Sequence, residues 1–287
     1  MRYARPTSAA EASALLAGEA GVTRVLAGGT DVLVQMKAGM VEPDLVVDIK
    51  AIPGIREIVA EAGGFRIGAA VSNAELKAHA EVKALWPGVV EAANLIGSTQ
   101  VQGRCTMAGN LCNASPAADS VPALVAAAAV ARIEGPAGTR DLAVQDIPAG
   151  PGRTTLAKGE IITSIFLPAR PDRSGDAYLR FIPRTEMDIA VASAGVSLTL
   201  DAAGKVTSAR VALGAVAPTV RLVEAAGAAL VGSTLDEAAL TALAAAASAA
   251  CSPIDDKRGT VQFRTHVAGV LARRAAIIAY NRAGGTK

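Results

Sequence analysis

Cysteine is scarce in this sequence: Cys105, Cys112 and Cys251 are the only three in 287 residues, with no C-x-x-C spacing. Three thiols do not make a disulfide framework. An iron–sulfur cluster draws on about four thiolates, so none is expected in this chain. Cys105 and Cys112 read as small loop or core residues. Histidine is scarcer still, and His79 and His266 fall on separate expected helices. Each reads as a surface or satisfied-core side chain, and no metal ligand is assigned. Aromatic residues are 3% of the chain and the net charge is +2. Stacking platforms and basic stripes for nucleic acid are therefore missing. The most apolar run, Val121 to Ala131, is about half of the ~20 residues that cross a bilayer. Met1-Arg2-Tyr3-Ala4-Arg5-Pro6 has no apolar signal-peptide core. A cytoplasmic protein without a transmembrane segment is the expectation. No acid–base dyad or Ser-His-Asp set stands out, so no catalytic residue is assigned.

What the chain does have is apolar bulk and clear punctuation. Apolar residues are 51% and charged residues 19%, which favours a packed core over disorder. Much of that bulk is alanine, which predicts close helix–helix contacts. Ser8-x-x-Glu11, Ser72-x-x-Glu75 and Thr234-x-x-Glu237 match the capping box that opens a helix. Strands are expected over 22–26, 44–48, 65–69, 130–134, 140–144 and 161–167. Helices are expected over 32–37, over 85–96 with Pro87 in the first turn, and from an Asp119 N-cap to about residue 128. A boundary falls where Pro, Asp, Arg, Ser and Gly cluster over 168–175. Beyond it come a strand over 177–182 and strands over 190–201 and 205–215, the last two closing a hairpin through Asp201-Ala202-Ala203-Gly204. Helices are expected over 219–230, 235–250 and 261–280. No internal repeat is present.

Two glycine loops carry the functional signal. Ala27-Gly28-Gly29-Thr30-Asp31 sits between an expected strand and an expected helix. That junction points backbone N–H groups and a helix N-terminus at one spot, which suits a pyrophosphate. An unliganded tight turn fits this loop alone about as well. No G-x-G-x-x-G or G-x-x-x-x-G-K-[ST] occurs, so Rossmann and P-loop sites are unsupported. Thr106-Met107-Ala108-Gly109-Asn110 lies in a polar stretch, 97–115, that shows neither helical nor strand period. Loops of that length are usually functional. Two such loops far apart in sequence suggest one phosphate-bearing ligand held from two sides. Asp119 follows, either as a helix N-cap or as an acceptor for ligand hydroxyls.

Together with Ala114-Ser115-Pro116-Ala117-Ala118-Asp119, and with Tyr178-Leu179-Arg180, Arg184 and Met187-Asp188-Ile189-Ala190, these loops resemble the FAD-binding medium subunit of molybdenum hydroxylases, the group of xanthine dehydrogenase and carbon monoxide dehydrogenase. The resemblance implies an α+β fold: a two-subdomain FAD-binding unit of the vanillyl-alcohol-oxidase type over 1–55 and 56–172, then a C-terminal domain over 173–287 with a three-stranded antiparallel sheet and three helices. It implies a diphosphate against Ala27, Gly28, Gly29, Thr30 and Asp31 and against Thr106, Ala108, Gly109 and Asn110. It places Asp119 near a ligand hydroxyl, Ile162 near the adenine, and Ile96 beside the flavin. Arg180 falls where relatives carry a lysine near the cofactor, and a guanidinium keeps that charge with another shape. Ala108 replaces one of the family's two glycines in the second loop, so its φ has to be negative for the loop to keep its form.

By the same resemblance, the chain is a flavin component that transfers electrons. Substrate hydroxylation belongs to a large partner with a molybdenum cofactor. A small partner with two 2Fe–2S clusters delivers electrons, and NAD⁺, a quinone or another acceptor receives them. A dimer of heterotrimers is implied. Two other readings stay open to the sequence: a standalone FAD-dependent reductase or oxidase of the same fold, and a flavin-free assembly subunit, for which Ala108 is the only support.

Overall fold

The computed structural model describes all of residues 1–287. The chain opens with β1 (Arg2–Ala4), α1 (Ala9–Gly18), β2 (Thr23–Leu26), α2 (Val32–Lys37) and β3 (Leu45–Asp48). The three strands form a parallel sheet in the order β1-β3-β2. Their carboxyl ends lie on one side, where open α/β sheets take ligands. Ser8 caps α1 through Glu11 N, but Glu11 Oε2 turns back to Thr7 N, one residue short of a reciprocal box.

Next come β4 (Ile58–Glu61), β5 (Gly64–Gly68), α3 (Asn73–Ala78), α4 (Ala80–Leu85), α5 (Pro87–Asn94), α6 (Thr99–Gln102), α7 (Met107–Asn113), α8 (Ser120–Ala126), β6 (Val130–Gly135), β7 (Gly138–Ala143), β8 (Pro148–Gly150), β9 (Arg153–Thr154) and β10 (Ile161–Leu167). An antiparallel five-stranded sheet runs β4-β5-β10-β6-β7. One face packs Ile67, Ala131, Ile133 and Ile165 into the N-terminal core, with α1 and α7 against its strands. Ser72 and Glu75 make the full capping box of α3, and Pro87 opens α5. The polar stretch 97–115 contains two short helices, α6 and α7, against the expectation of no regular structure. Neither is amphipathic over enough residues to show a period.

The C-terminal part holds β11 (Ser174–Phe181), β12 (Ala192–Leu200), β13 (Val206–Gly214), β14 (Arg221–Leu222), α9 (Glu224–Ala228), α10 (Glu237–Ala249) and α11 (Val261–Arg282). Its antiparallel sheet runs β11-β12-β13-β14, so a two-residue strand extends the three expected. The helix expected over 219–230 is replaced by β14 and the short α9. Asp236, not Thr234, caps α10, accepting from Ala239 N at 2.9 Å. Leu235 between them has φ +55°, which breaks the backbone before a helix can start at Thr234. Small residues bring α11 onto the sheet: a Cβ on Gly175 would lie 1.9 Å from Ala279 O. No helix of the chain is long and apolar enough to cross a membrane.

The hydrophobic core falls into two clusters, one in the N-terminal body and one under the C-terminal sheet. Tyr178 of β11 belongs to the first cluster, so it pins the C-terminal sheet to the N-terminal body. Arg170 and Asp176 form a buried ion pair at 2.9 Å beside the same junction.

Candidate functional site

The first glycine loop leaves β2 at the ligand end of the parallel sheet. Gly29 has φ +82°, a region that glycine enters without strain. A Cβ on Gly28 would stand 1.9 Å from Arg104 O. Residue 28 therefore has to be glycine for this loop to lie against the backbone that leads into the second. The backbone N–H groups of Gly28, Gly29, Thr30 and Asp31 donate to no protein acceptor. Gly28, Gly29 and Thr30 are half-buried and Asp31 is exposed; buried or half-buried N–H groups are nearly always paired, so this run of free donors stands out.

The second loop is a helix start. Thr106 is the N-cap of α7, and its Oγ1 accepts from Gly109 N at 2.9 Å. Asn110 N returns to Thr106 O at 3.0 Å. The N–H groups of Met107 and Ala108 have no protein acceptor, although both residues are buried. Ala108 is absent from the residues with positive φ. Its side chain packs into the N-terminal core, so the alanine departure brings no backbone strain.

Side chains fasten the two loops together. Asn113 Nδ2 donates to Asp31 Oδ1 at 3.3 Å, and Gln35 Nε2 donates to Asn113 Oδ1 at 3.0 Å. Behind the second loop, buried Asn73 donates to Ala93 O at 2.7 Å and to Cys105 Sγ at 3.2 Å. Burial pushes the Cys105 thiol up to about 11, which keeps it neutral. On the other side, Asn110 Oδ1 accepts from Ser120 N at 3.2 Å and from Ser120 Oγ at 2.7 Å. Asn110 thus caps the start of α8, the task that the sequence suggested for Asp119.

Asp119 makes no capping bond. Its Oδ1 accepts from Tyr178 Oη at 2.8 Å and its Oδ2 from Arg180 at 2.6 Å. The Arg180 side chain is 5% exposed and that of Asp119 9%, so the pair is a buried ion pair between α8 and β11. Burial drives the Asp119 carboxyl up to about 6, against the Arg180 charge and the two hydrogen bonds. Arg184, by contrast, is a surface charge paired with Asp188 four residues on.

Ile96 is half-buried in the turn after α5. The adjoining Gly97 faces Met187 of the C-terminal part, 3.7 Å from a Cβ placed there to its Sδ. Ile162 is 4% exposed, on the core face of β10 opposite Ile133, and no hydrogen bond ties it to either loop. His79 caps α4 through Nδ1 and meets the Phe65 ring edge-on, while His266 is exposed on α11. The sequence reading missed three supports: Asn73, Tyr178 as the partner of Asp119, and Lys50, whose Nζ donates to Ala27 O at 3.0 Å. A lysine just past a strand end gives no distinctive signal.

A concavity of about 670 Å³ opens on the outer face of the five-stranded sheet, beside Arg66, Arg132 and Arg140. None of the expected site residues borders it. Its three arginines are paired with Glu61, Asp141 and Glu160, which leaves no unpaired cation there for an anionic ligand.

Two loops with unpaired N–H groups, one after a strand and one at a helix start, thus come together where Gly28 packs against Arg104 O, in a chain with neither a Rossmann nor a P-loop sequence. Two family models cover nearly the whole chain: the FAD binding domain in molybdopterin dehydrogenase over residues 1–170, and the CO dehydrogenase flavoprotein C-terminal domain over residues 177–279. The carbon monoxide dehydrogenase medium chain of Afipia carboxidovorans is 35% identical over 98% of this chain and 97% of its own length. A putative xanthine dehydrogenase FAD-binding subunit of Escherichia coli is 29% identical over 99% and 97%. Among solved structures, reconstituted CO dehydrogenase from Oligotropha carboxidovorans superimposes with TM-score 0.94 at 35% identity, over 98% of both chains. Quinoline 2-oxidoreductase from Pseudomonas putida superimposes with TM-score 0.89 at 27% identity, over 99% and 98%. The chain belongs to the FAD-binding medium subunits of the molybdenum hydroxylases.

Proposed function

We propose that the two loops hold the FAD diphosphate between them, and that the chain is the electron-transfer subunit of a heterotrimeric molybdenum hydroxylase. The observation that carries this reading is the set of unpaired N–H groups on Gly28–Asp31 and on Met107–Ala108, brought together by the Gly28–Arg104 backbone contact. That donor set fits a diphosphate, since both loops offer N–H groups with no competing acceptor. FAD supplies the redox chemistry, taking electrons singly and handing them on as a pair.

The chain's own residues bind and orient. Gly28 and Gly29 let the first backbone approach closely, and Thr106 sets the first turn of α7. The Asp119 carboxylate retains lone pairs beyond its bonds to Tyr178 and Arg180, enough to accept from a ligand hydroxyl. Arg180 holds that carboxylate in place. Ile96 flanks the flavin end and Ile162 the adenine end. The subdomain limits 1–55 and 56–172 and the C-terminal domain 173–287 follow the grouping of strands into separate sheets.

Electrons arrive from 2Fe–2S clusters of a small partner and leave to NAD⁺, a quinone or another acceptor. A large partner carries the molybdenum cofactor, the trimers pair as a dimer of heterotrimers, and the complex is cytoplasmic. The negative φ of Ala108 removes the one sequence feature that favoured a flavin-free subunit. The test is to co-express the chain with its large and small partners, purify the complex, denature it and record the visible spectrum of the supernatant. One FAD released per copy of this chain is expected. A colourless supernatant from a stoichiometric complex contradicts the proposal.

A further inference from the structure

We infer that Lys50 is a positioning residue that sets the first glycine loop for its diphosphate, an inference that rests on the FAD reading above. The loop follows β2 and the turn bearing Lys50 follows β3, so both lie at the carboxyl end of the parallel sheet. Asp48 closes the turn, its Oδ1 accepting from Lys50 N at 3.0 Å and from Lys50 Nζ at 2.7 Å. Its Oδ2 accepts from Tyr3 Oη at 2.6 Å. Lys50 Nζ then reaches across to Ala27 O at 3.0 Å. A chain of contacts thus runs from β1 through β3 to the loop after β2.

The grip on Ala27 O has a directional consequence. In a planar trans peptide the C=O and the next N–H point in opposite directions. Holding Ala27 O toward Lys50 therefore turns Gly28 N–H away from it, and that N–H has no protein acceptor. Glycine cannot fix this peptide by itself, because Gly28 and Gly29 are the two residues with the freest backbone in the loop. Lys50 is also the only cationic side chain hydrogen-bonded to residues 27–31. Its side chain is 27% exposed and its ammonium sits between the Asp48 carboxylate and Ala27 O. The Asp48 carboxyl would be raised by burial, but its bonds to Lys50 and Tyr3 hold it below the usual range. It stays ionised and keeps Lys50 in place.

A plainer role for Lys50 is to neutralise buried Asp48. The two roles separate in the complex assembled with its partners, stripped of FAD and titrated with FAD while flavin fluorescence is followed. Lys50→Met removes both roles. Lys50→Met with Asp48→Asn removes the cation but leaves no unpaired buried charge. Asp48→Asn alone keeps Lys50 available to Ala27. The expected result is that Lys50→Met and the double variant both weaken FAD binding about tenfold or more, the scale of one hydrogen bond from a charged donor. Asp48→Asn alone loses less than Lys50→Met, because its amide oxygen still accepts from Lys50 and the cation stays within reach of Ala27, and Lys50→Arg recovers part of the loss. Wild-type affinity in Lys50→Met, or its recovery in the double variant, overturns the inference. A wild-type complex that takes up no FAD before any substitution overturns the FAD reading, and this inference with it.

Discussion

The two glycine loops leave backbone N–H groups without protein acceptors by different physical means. The first depends on what glycine alone can do: Gly28 lies where any Cβ would strike Arg104 O, and Gly29 holds φ +82°. The second depends on a helix N-terminus. Its N–H groups are free because they belong to the first turn of α7, and Thr106 caps that turn. Ala108 is at home there because alanine is the best helix former. The contrast teaches that a glycine in a motif has to be read by its backbone task. One glycine can be indispensable while another is exchangeable.

The largest effect belongs to the first loop. Gly28→Ala forces the two loops apart. Overpacking of this kind costs about 1–3 kcal/mol, and FAD content of the assembled complex should fall to near zero. Gly29→Val comes next. It places a branched side chain at positive φ and against Leu33 and Leu26, whose Cδ1 atoms lie 2.9 and 3.0 Å from a Cβ there. Flavin retention should be lost while circular dichroism stays close to wild type; retained flavin would sink the first loop's role.

Asp119 gives an effect of intermediate size behind the second loop. Its folded pKa, about 6, lies above the ordinary aspartate value. A raised carboxyl pKa means that the folded state binds more protons, so this group's stabilising contribution is lost as pH rises through about 6. Compared with Asp119→Asn, the wild type should lose melting temperature between pH 4 and pH 7. A gain over that range would show that the Arg180 charge outweighs burial. Ala108→Gly gives the smallest effect. It should lower stability by at most about 1 kcal/mol and leave FAD content unchanged. A gain in FAD affinity would mean that the second loop needs a glycine after all.

The sequence revealed elements whose signals are local. The Ser72–Glu75 box, Pro87 at a helix start and the Asp201–Gly204 hairpin all appear where nearby residues place them. It failed where a distant partner decides. Asp119 has the chemistry of an N-cap, yet Tyr178 and Arg180, some sixty residues away, take both its oxygens. Asn110 does the capping instead, ten residues upstream. Thr234 lost its cap to Asp236 because Leu235 adopts φ +55°. α6 and α7 are too short for a period, and β14 exists only through its pairing with β13. The site shows the same division. Its loops were visible as motifs, but the Gly28–Arg104 contact and the reach of Lys50 to Ala27 exist only once the chain has folded.

The central claim is that both loops donate backbone N–H groups to one diphosphate. Residue-resolved amide hydrogen exchange on the assembled complex, with and without FAD, tests it most directly. Amides 28–31 and 107–108 have no protein acceptor, so without FAD they should exchange faster than Gly109 and Asn110, which are bonded to Thr106. With FAD, both sets should gain protection together, at the same FAD concentration. Protection confined to one loop, or found at neither, would contradict the account.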